Sequence, residues 1–298
     1  MNKLITCDIC GGTVRIFRHA LRHEHYHIDG TFNTVLCEIC DHEQLHPKPN
    51  ADEILRFYPS NYYAHNVLNR ANLWATLIDF FNLRVRTKDP RINGTVLDIG
   101  CGDGAFLKQY RTPSIDKVGI NYDSENSMST DLGFATVVSG DYLKYDFGQK
   151  FDYIRANHTL EHILDPVAFT KKLKRDLSDD GIALIAVPNR SGAFAKIFGR
   201  YWYLLGVPTH ISIFSQKSLV NLFESQGFVV IKAYTNSDFA GLSGSIQIWM
   251  NRKKYDKFSN DGPFFQSKLI RIFCHLIAKS LDLIGKGDCV EIVIKKNV

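Results

Sequence analysis

No uninterrupted apolar stretch of this 298-residue sequence approaches the roughly 18 residues that suggest a membrane-spanning helix. The longest candidate, Leu269 to Ile284, is broken by Arg271, His275, Lys279 and Asp282. The segment Met1 to Cys10 has one lysine and no apolar run of the kind a secretory signal needs. A cytoplasmic protein is therefore expected, with its seven cysteines read as thiols or metal ligands rather than disulfides. A strong charge of one sign is also lacking. The formal net charge is +5, too diffuse for a nucleic-acid partner, which calls for basic clusters. The two basic runs, 171–175 and 252–254, read as solvated faces. What remains is ordinary globular composition, 45% hydrophobic and 22% charged. The length suits one α/β domain of about 200 residues plus a small module.

Four of the cysteines form two pairs, Cys7-x-x-Cys10 and Cys37-x-x-Cys40. Each pair can grip an ion from one tight turn, and together they offer the four soft ligands that tetrahedral zinc prefers. Gly11 and Gly12 let the chain fold back after Cys10. A module of about 45 residues buries too little apolar surface to fold unaided, so residues 1–48 are expected to form a zinc ribbon. With cysteine at every ligand position the zinc is structural, and a redox pair is the alternative. Six histidines share the stretch: His19, His23, His25, His27, His42 and His46. His23, His25 and His27 alternate as on one strand face, which reads as a polar exposed strand, a second metal site or a substrate-facing surface.

Residues 49–90 read as linker and lid. Pro47, Pro49 and Pro59 mark a hinge, Tyr58, Tyr62, Tyr63 and His65 follow, and 67–81 has the apolar spacing of a helix. Closure over a bound cofactor and ordinary packing are both open. Next comes the most informative run, Thr95-Val-Leu-Asp-Ile-Gly100-Cys-Gly-Asp-Gly104-Ala-Phe-Leu. An apolar strand ends at Ile99, glycines at 100, 102 and 104 let a ligand approach the backbone, and a helix begins near Ala105. The run also fits the dinucleotide fingerprint GxGxxG/A. Two features favour another ligand: the third glycine falls at 104, and Asp98, at the strand end, suits a cationic group and repels a pyrophosphate.

On these residues the sequence resembles the class I S-adenosylmethionine (SAM)-dependent methyltransferases, and residues 91–298 repeat the resemblance in order. It implies an α/β fold, a seven-stranded Rossmann-like sheet behind the small zinc ribbon. Lys117 to Ser124 resembles the second strand and its ribose-binding end, where Asn121 replaces the usual acid, Tyr122 follows, and Asp123 is a possible substitute. Ser139-Gly-Asp141-Tyr142 resembles the turn that meets adenine, and 151–166 the fourth strand and its loop. Residues 181–189, 227–231 and 289–295 resemble the last three strands. The implied cofactor contacts are Asp98, Gly100, Cys101, Gly102, Gly104, Asn121, Tyr122, Asp141, Tyr142 and Asn157.

Methyl transfer to a hydroxyl needs alignment and a proton acceptor. Three histidines stand in suitable loops. His158 and His162 flank Glu161, and His210 lies in Pro208-Thr-His-Ile-Ser-Ile-Phe-Ser. Both segments resemble the subgroup of ubiquinone-type and sugar methyltransferases, and each histidine has a loop-capping alternative. An apolar-rich helix over 264–284 could cover the acceptor pocket or form a homodimer face, with membrane contact less favoured. The favoured activity is O-methylation of a sugar or related small metabolite. The alternatives are a quinone or lipid-linked acceptor and a non-catalytic scaffold.

Overall fold

A computed structural model describes residues 5–24, 28–58, 94–109, 116–122, 128–253 and 262–297. His25, His27, Pro59, Tyr62, Tyr63, His65, the helix expected over 67–81, Asp123 and Lys254 lie outside the described residues. The ribbon is an antiparallel sheet of β1 (Val14–Leu21), β2 (Phe32–Cys37) and β3 (Glu43–His46). Its two cysteine turns face each other. Cys7 Sγ is 3.5 Å from Cys40 Sγ, Cys10 Sγ is 3.5 Å from Cys37 Sγ, and all four sulfurs lie within 4.8 Å of one another. Gly11, at φ +68°, donates its N–H to the Cys7 carbonyl and closes the first turn. β1 ends at Leu21, and His23 lies beyond it with its side chain buried, so it is not part of an exposed histidine strand.

The remaining strands are β4 (Val96–Ile99), β5 (Lys117–Asn121), β6 (Met128–Asp131), β7 (Thr136–Ser139), β8 (Phe151–Asn157), β9 (Leu177–Pro188), β10 (Ser212–Ile213), β11 (Phe228–Thr235) and β12 (Cys289–Lys296). Eight of them form the central sheet in the order β11-β12-β9-β8-β4-β5-β7-β6. The five inner strands β9-β8-β4-β5-β7 are parallel, and the outer pairings are antiparallel. β4 has no exposed residue, as expected of a strand covered on both faces. Helix Pro166–Asp176 begins where Asp165 caps the Ala168 N–H at 2.8 Å and proline occupies its first turn. Its Phe169 and Leu173 join Phe151, Ile154, Leu222 and Phe223 in the main core.

The sheet thus has eight strands where seven were expected. The additional one is β6, folded back on β7 through a turn at Gly133, whose φ is +76° and whose N–H donates to Asp131 Oδ1 at 2.7 Å. A short edge strand costs few contacts and carries little apolar signal of its own. β10 belongs to neither neighbour in sequence. It pairs with β3 and becomes the fourth strand of the ribbon sheet. Helix Lys268–Leu283 buries Cys274 and Ala278, while Leu269, Phe273, Leu276 and Leu283 are exposed. No described helix is long and apolar enough to cross a membrane.

Candidate functional site

The glycine turn leaves β4 at the carboxyl edge of the sheet. Gly100, Gly102 and Gly104 all have positive φ, at +76°, +57° and +74°. A Cβ at Gly100 would collide with Thr159, whose hydroxyl donates to the Ile99 carbonyl at 2.9 Å, whereas one at Gly102 would meet nothing within 4 Å. Gly102 therefore faces open space. Its backbone is held by Asn121 at the end of β5: the amide Oδ1 accepts from Gly102 N–H and Nδ2 donates to Gly102 C=O, both at 2.8 Å. Cys101 is buried behind the turn, and burial followed by the charge of Asp98 pushes its thiol up to about 12.

Asp98 is buried, and the β4–β8 register sets it opposite Arg155, whose Nη1 donates to Oδ1 at 2.9 Å. Burial raises its pKa and Arg155 opposes the rise. Oδ2 of Asp98 and Oδ1 of Asn157 are buried with no hydrogen-bond partner. Arg155 also lies over the Phe106 ring, 4.1 Å from its centroid. Gly140, next to Asp141, donates to the Asn121 carbonyl at 2.8 Å, which brings the β7 turn beside the glycine turn. Asp141 itself caps the Leu143 N–H at 3.0 Å. Tyr122 is 61% exposed. Tyr142 is not brought to the turn. Its ring is buried in the core against Phe169, 5.3 Å away, and Phe147, 6.3 Å away.

The three candidate histidines converge on Glu161, which is fully buried just after β8, the strand beside β4. His158 (φ +54°) places Nδ1 3.2 Å from Glu161 Oε1 and Nε2 3.7 Å from Cys289 Sγ. Burial works against charge on this ring, but Cys289 and Glu161 outweigh it and hold its pKa well above the usual value. For Glu161, burial favours the neutral acid, yet His158, then His162 and His210, bring it down to about 2. His162 Nδ1 lies 2.9 Å from the Thr209 carbonyl and 3.0 Å from Tyr58 Oη. His210 Nδ1 lies 3.0 Å from the Leu204 carbonyl, and the two rings meet edge to face at 4.8 Å. Donation to those carbonyls puts the proton on Nδ1 of both rings and makes Nε2 the lone-pair nitrogen. One ligand atom from each of Glu161, His162 and His210 lies within 4.8 Å of the others, a set able to hold a metal ion, although Glu161 Oε1 is already engaged by His158.

Sequence reasoning missed Arg155 and Cys289, and it offered Tyr58 as a lid residue over the cofactor rather than as a partner of His162. Arg155 was detectable in principle, as a charged residue in the middle of the strand next to the one bearing Asp98. Tyr58 and Cys289 reach the site only through tertiary folding.

A methyltransferase-domain family profile matches residues 63–233. A ubiquinone biosynthesis O-methyltransferase of Psychrobacter arcticus is 26% identical over 49% of this chain and 61% of its own length. An (S)-tetrahydroprotoberberine N-methyltransferase of Eschscholzia californica is 28% identical over 34% of this chain and 31% of its own. The chain thus spans less than two thirds of these curated relatives. A Haloferax volcanii chain solved in complex with a methyltransferase activator has a TM-score of 0.50 at 16% identity, covering 76% of this chain and 96% of that one, a likeness of fold. With more than half of its residues inside the matched domain, this chain belongs to the methyltransferase-domain family.

Proposed function

We propose that the chain transfers a methyl group from SAM to a hydroxyl oxygen of a small acceptor, with sugars and sugar nucleotides as the favoured class. The observation that carries this reading is the convergence of three histidines on buried Glu161, one strand away from the glycine turn. The turn fits the cofactor: Gly102 faces open space, and Asp98 Oδ2 and Asn157 Oδ1 are buried acceptors without partners. Gly100, Gly102, Gly104 and Asp98 would hold the amino-acid end, and Asp141 the adenine. Asn121 would reach the ribose by exchanging a bond to Gly102. When bound, SAM supplies a methyl group on a cationic sulfur, open to in-line displacement.

The chain's own part is positioning and proton removal. His158 is held protonated and is a poor base at neutral pH, so it serves to fix Glu161. His210 is the better base, since its Nδ1 is committed to a carbonyl and Nε2 can take the hydroxyl proton. The four cysteines fit a structural zinc, because four converging thiols, with no other ligand beside them among the described residues, fill a tetrahedral site. A quinone acceptor is the second reading. The ubiquinone O-methyltransferase relatives and the exposed apolar side chains of helix Lys268–Leu283 favour it.

The test offers the protein labelled SAM with sugar nucleotides, quinone precursors or protein extract. Label in the sugar fraction is the expected result, and label confined to quinones selects the second reading. Absence of SAM binding by calorimetry overturns the enzyme reading and leaves a scaffold.

A further inference from the structure

The ribbon is tied to the stretch that carries His210 through two side chains, Glu43 on β3 and Arg190 in the loop after β9. Glu43, on β3, is fully buried, and its partners come from three other segments: Arg18 Nε at 2.8 Å from β1, Thr34 Oγ1 at 2.7 Å from β2, and Arg190 Nε at 3.3 Å from the loop after β9. Arg190 also grips both Asp41 oxygens at 2.9 Å, and its N–H donates to the Phe214 carbonyl at 2.8 Å, one residue past β10. β10 is clamped from both sides. Ser212 and Ile213 pair with Gln44 and Glu43, Leu45 N–H donates to Ile211 C=O at 2.9 Å, and Ile211 N–H donates to Glu161 C=O at 2.9 Å. His210 immediately precedes this clamp, and Thr209, whose carbonyl fixes His162, precedes His210.

We propose that Glu43 and Arg190 are positioning residues for the acceptor site: their buried ion pair locks β10 onto the ribbon and so sets the orientation of His210 and His162. The proposal rests on the methyltransferase reading for its functional meaning. The cofactor turn lies on β4 and β5 and shares none of these bonds, so the pair governs the acceptor side alone.

The test compares the full chain with Arg190→Met, Arg190→Lys and Glu43→Gln, all labelled with 15N-histidine. The His162 and His210 signals are assigned from His162→Gln and His210→Gln. Two quantities are read: exchange of the two imidazole Nδ1–H protons with solvent, and SAM affinity by calorimetry. In Arg190→Met, exchange should accelerate by about tenfold or more while SAM affinity stays within about twofold. Arg190→Lys keeps the charge but not the fork, and should give an intermediate rate. Should Arg190→Met not fold, Arg190→Lys and Glu43→Gln decide by the same criterion. Unchanged exchange in the folded variants overturns the proposal, and so does a loss of SAM affinity parallel to the gain in exchange. A wild-type chain that binds no SAM defeats the methyltransferase reading instead, while the exchange comparison still tests the clamp.

Discussion

A buried carboxylate surrounded by imidazoles ties stability to pH in both directions. The pKa of Glu161 falls from 4.5 to about 2 on folding. Its contribution to stability is complete above about 4.5 and is lost as pH falls through about 2. That of His158 rises well above 6.5, so its contribution is complete below about 6.5 and is lost as pH climbs through the raised value. The chain should therefore be most resistant to urea between these limits. Glu161→Gln should cost about 1–2 kcal/mol near neutrality, because it removes the charge-assisted hydrogen bond to His158, whose 38% exposed side chain can shed its own charge. In the same variant the His158 titration followed by NMR should move down only part of the way, since Cys289 still holds it up, and an unmoved titration would show that Glu161 does not contribute. The glycine turn offers a second residue-scale test. Gly102→Val puts a β-branched side chain at φ +57°, into the open space the cofactor would use, so SAM binding should disappear in calorimetry. The turn was legible in the sequence because three glycines after an apolar strand have few other uses. The role of Asn121 was not, since its partner is a backbone group 19 residues away.

Among the elements, legibility followed length and burial. β4, β8, β9 and β12 are mostly buried runs; the apolar, β-branched composition of β4 marked it, and the family resemblance marked the other three. β6 escaped because an edge hairpin strand needs little apolar character, and β10 because two residues carry no periodicity. Helix Pro166–Asp176 shows both kinds of signal at work: Asp165-Pro166 announces its start, and Phe169 and Leu173 are fully buried one turn apart on its core face. The two signals differ in energy. Phe169→Ala removes a ring packed on Tyr142 and should cost about 3–5 kcal/mol, whereas Asp165→Ala removes a cap and should cost about 1 kcal/mol. Urea unfolding of the two variants checks the ratio, and equal losses would mean that the helix start matters as much as its packing.

At the scale of the whole molecule, the stretch read as a separate ribbon shares a sheet with the stretch that carries the histidines. Spacing alone disclosed the four sulfurs. The strand β10 that completes the ribbon sheet comes from far along the chain, and pairing at that distance leaves no trace in local sequence. The consequence is a directional dependence. If the four cysteines hold the proposed zinc ion, stripping it should loosen β3 first, then β10, and through it the segment bearing His210. The cofactor turn, held by β4, β5 and Asn121, has its own support. Treatment with a strong chelator should therefore release about one equivalent of zinc and make the ribbon sensitive to protease. It should abolish methyl transfer yet leave SAM affinity nearly unchanged. The measurements are metal analysis of the dialysed protein, limited proteolysis and calorimetry on the same sample. Full transfer activity in the metal-free chain would mean that the catalytic segment holds its shape without the ribbon, and equal loss of transfer and SAM binding would mean that the two sheets fold as a single unit.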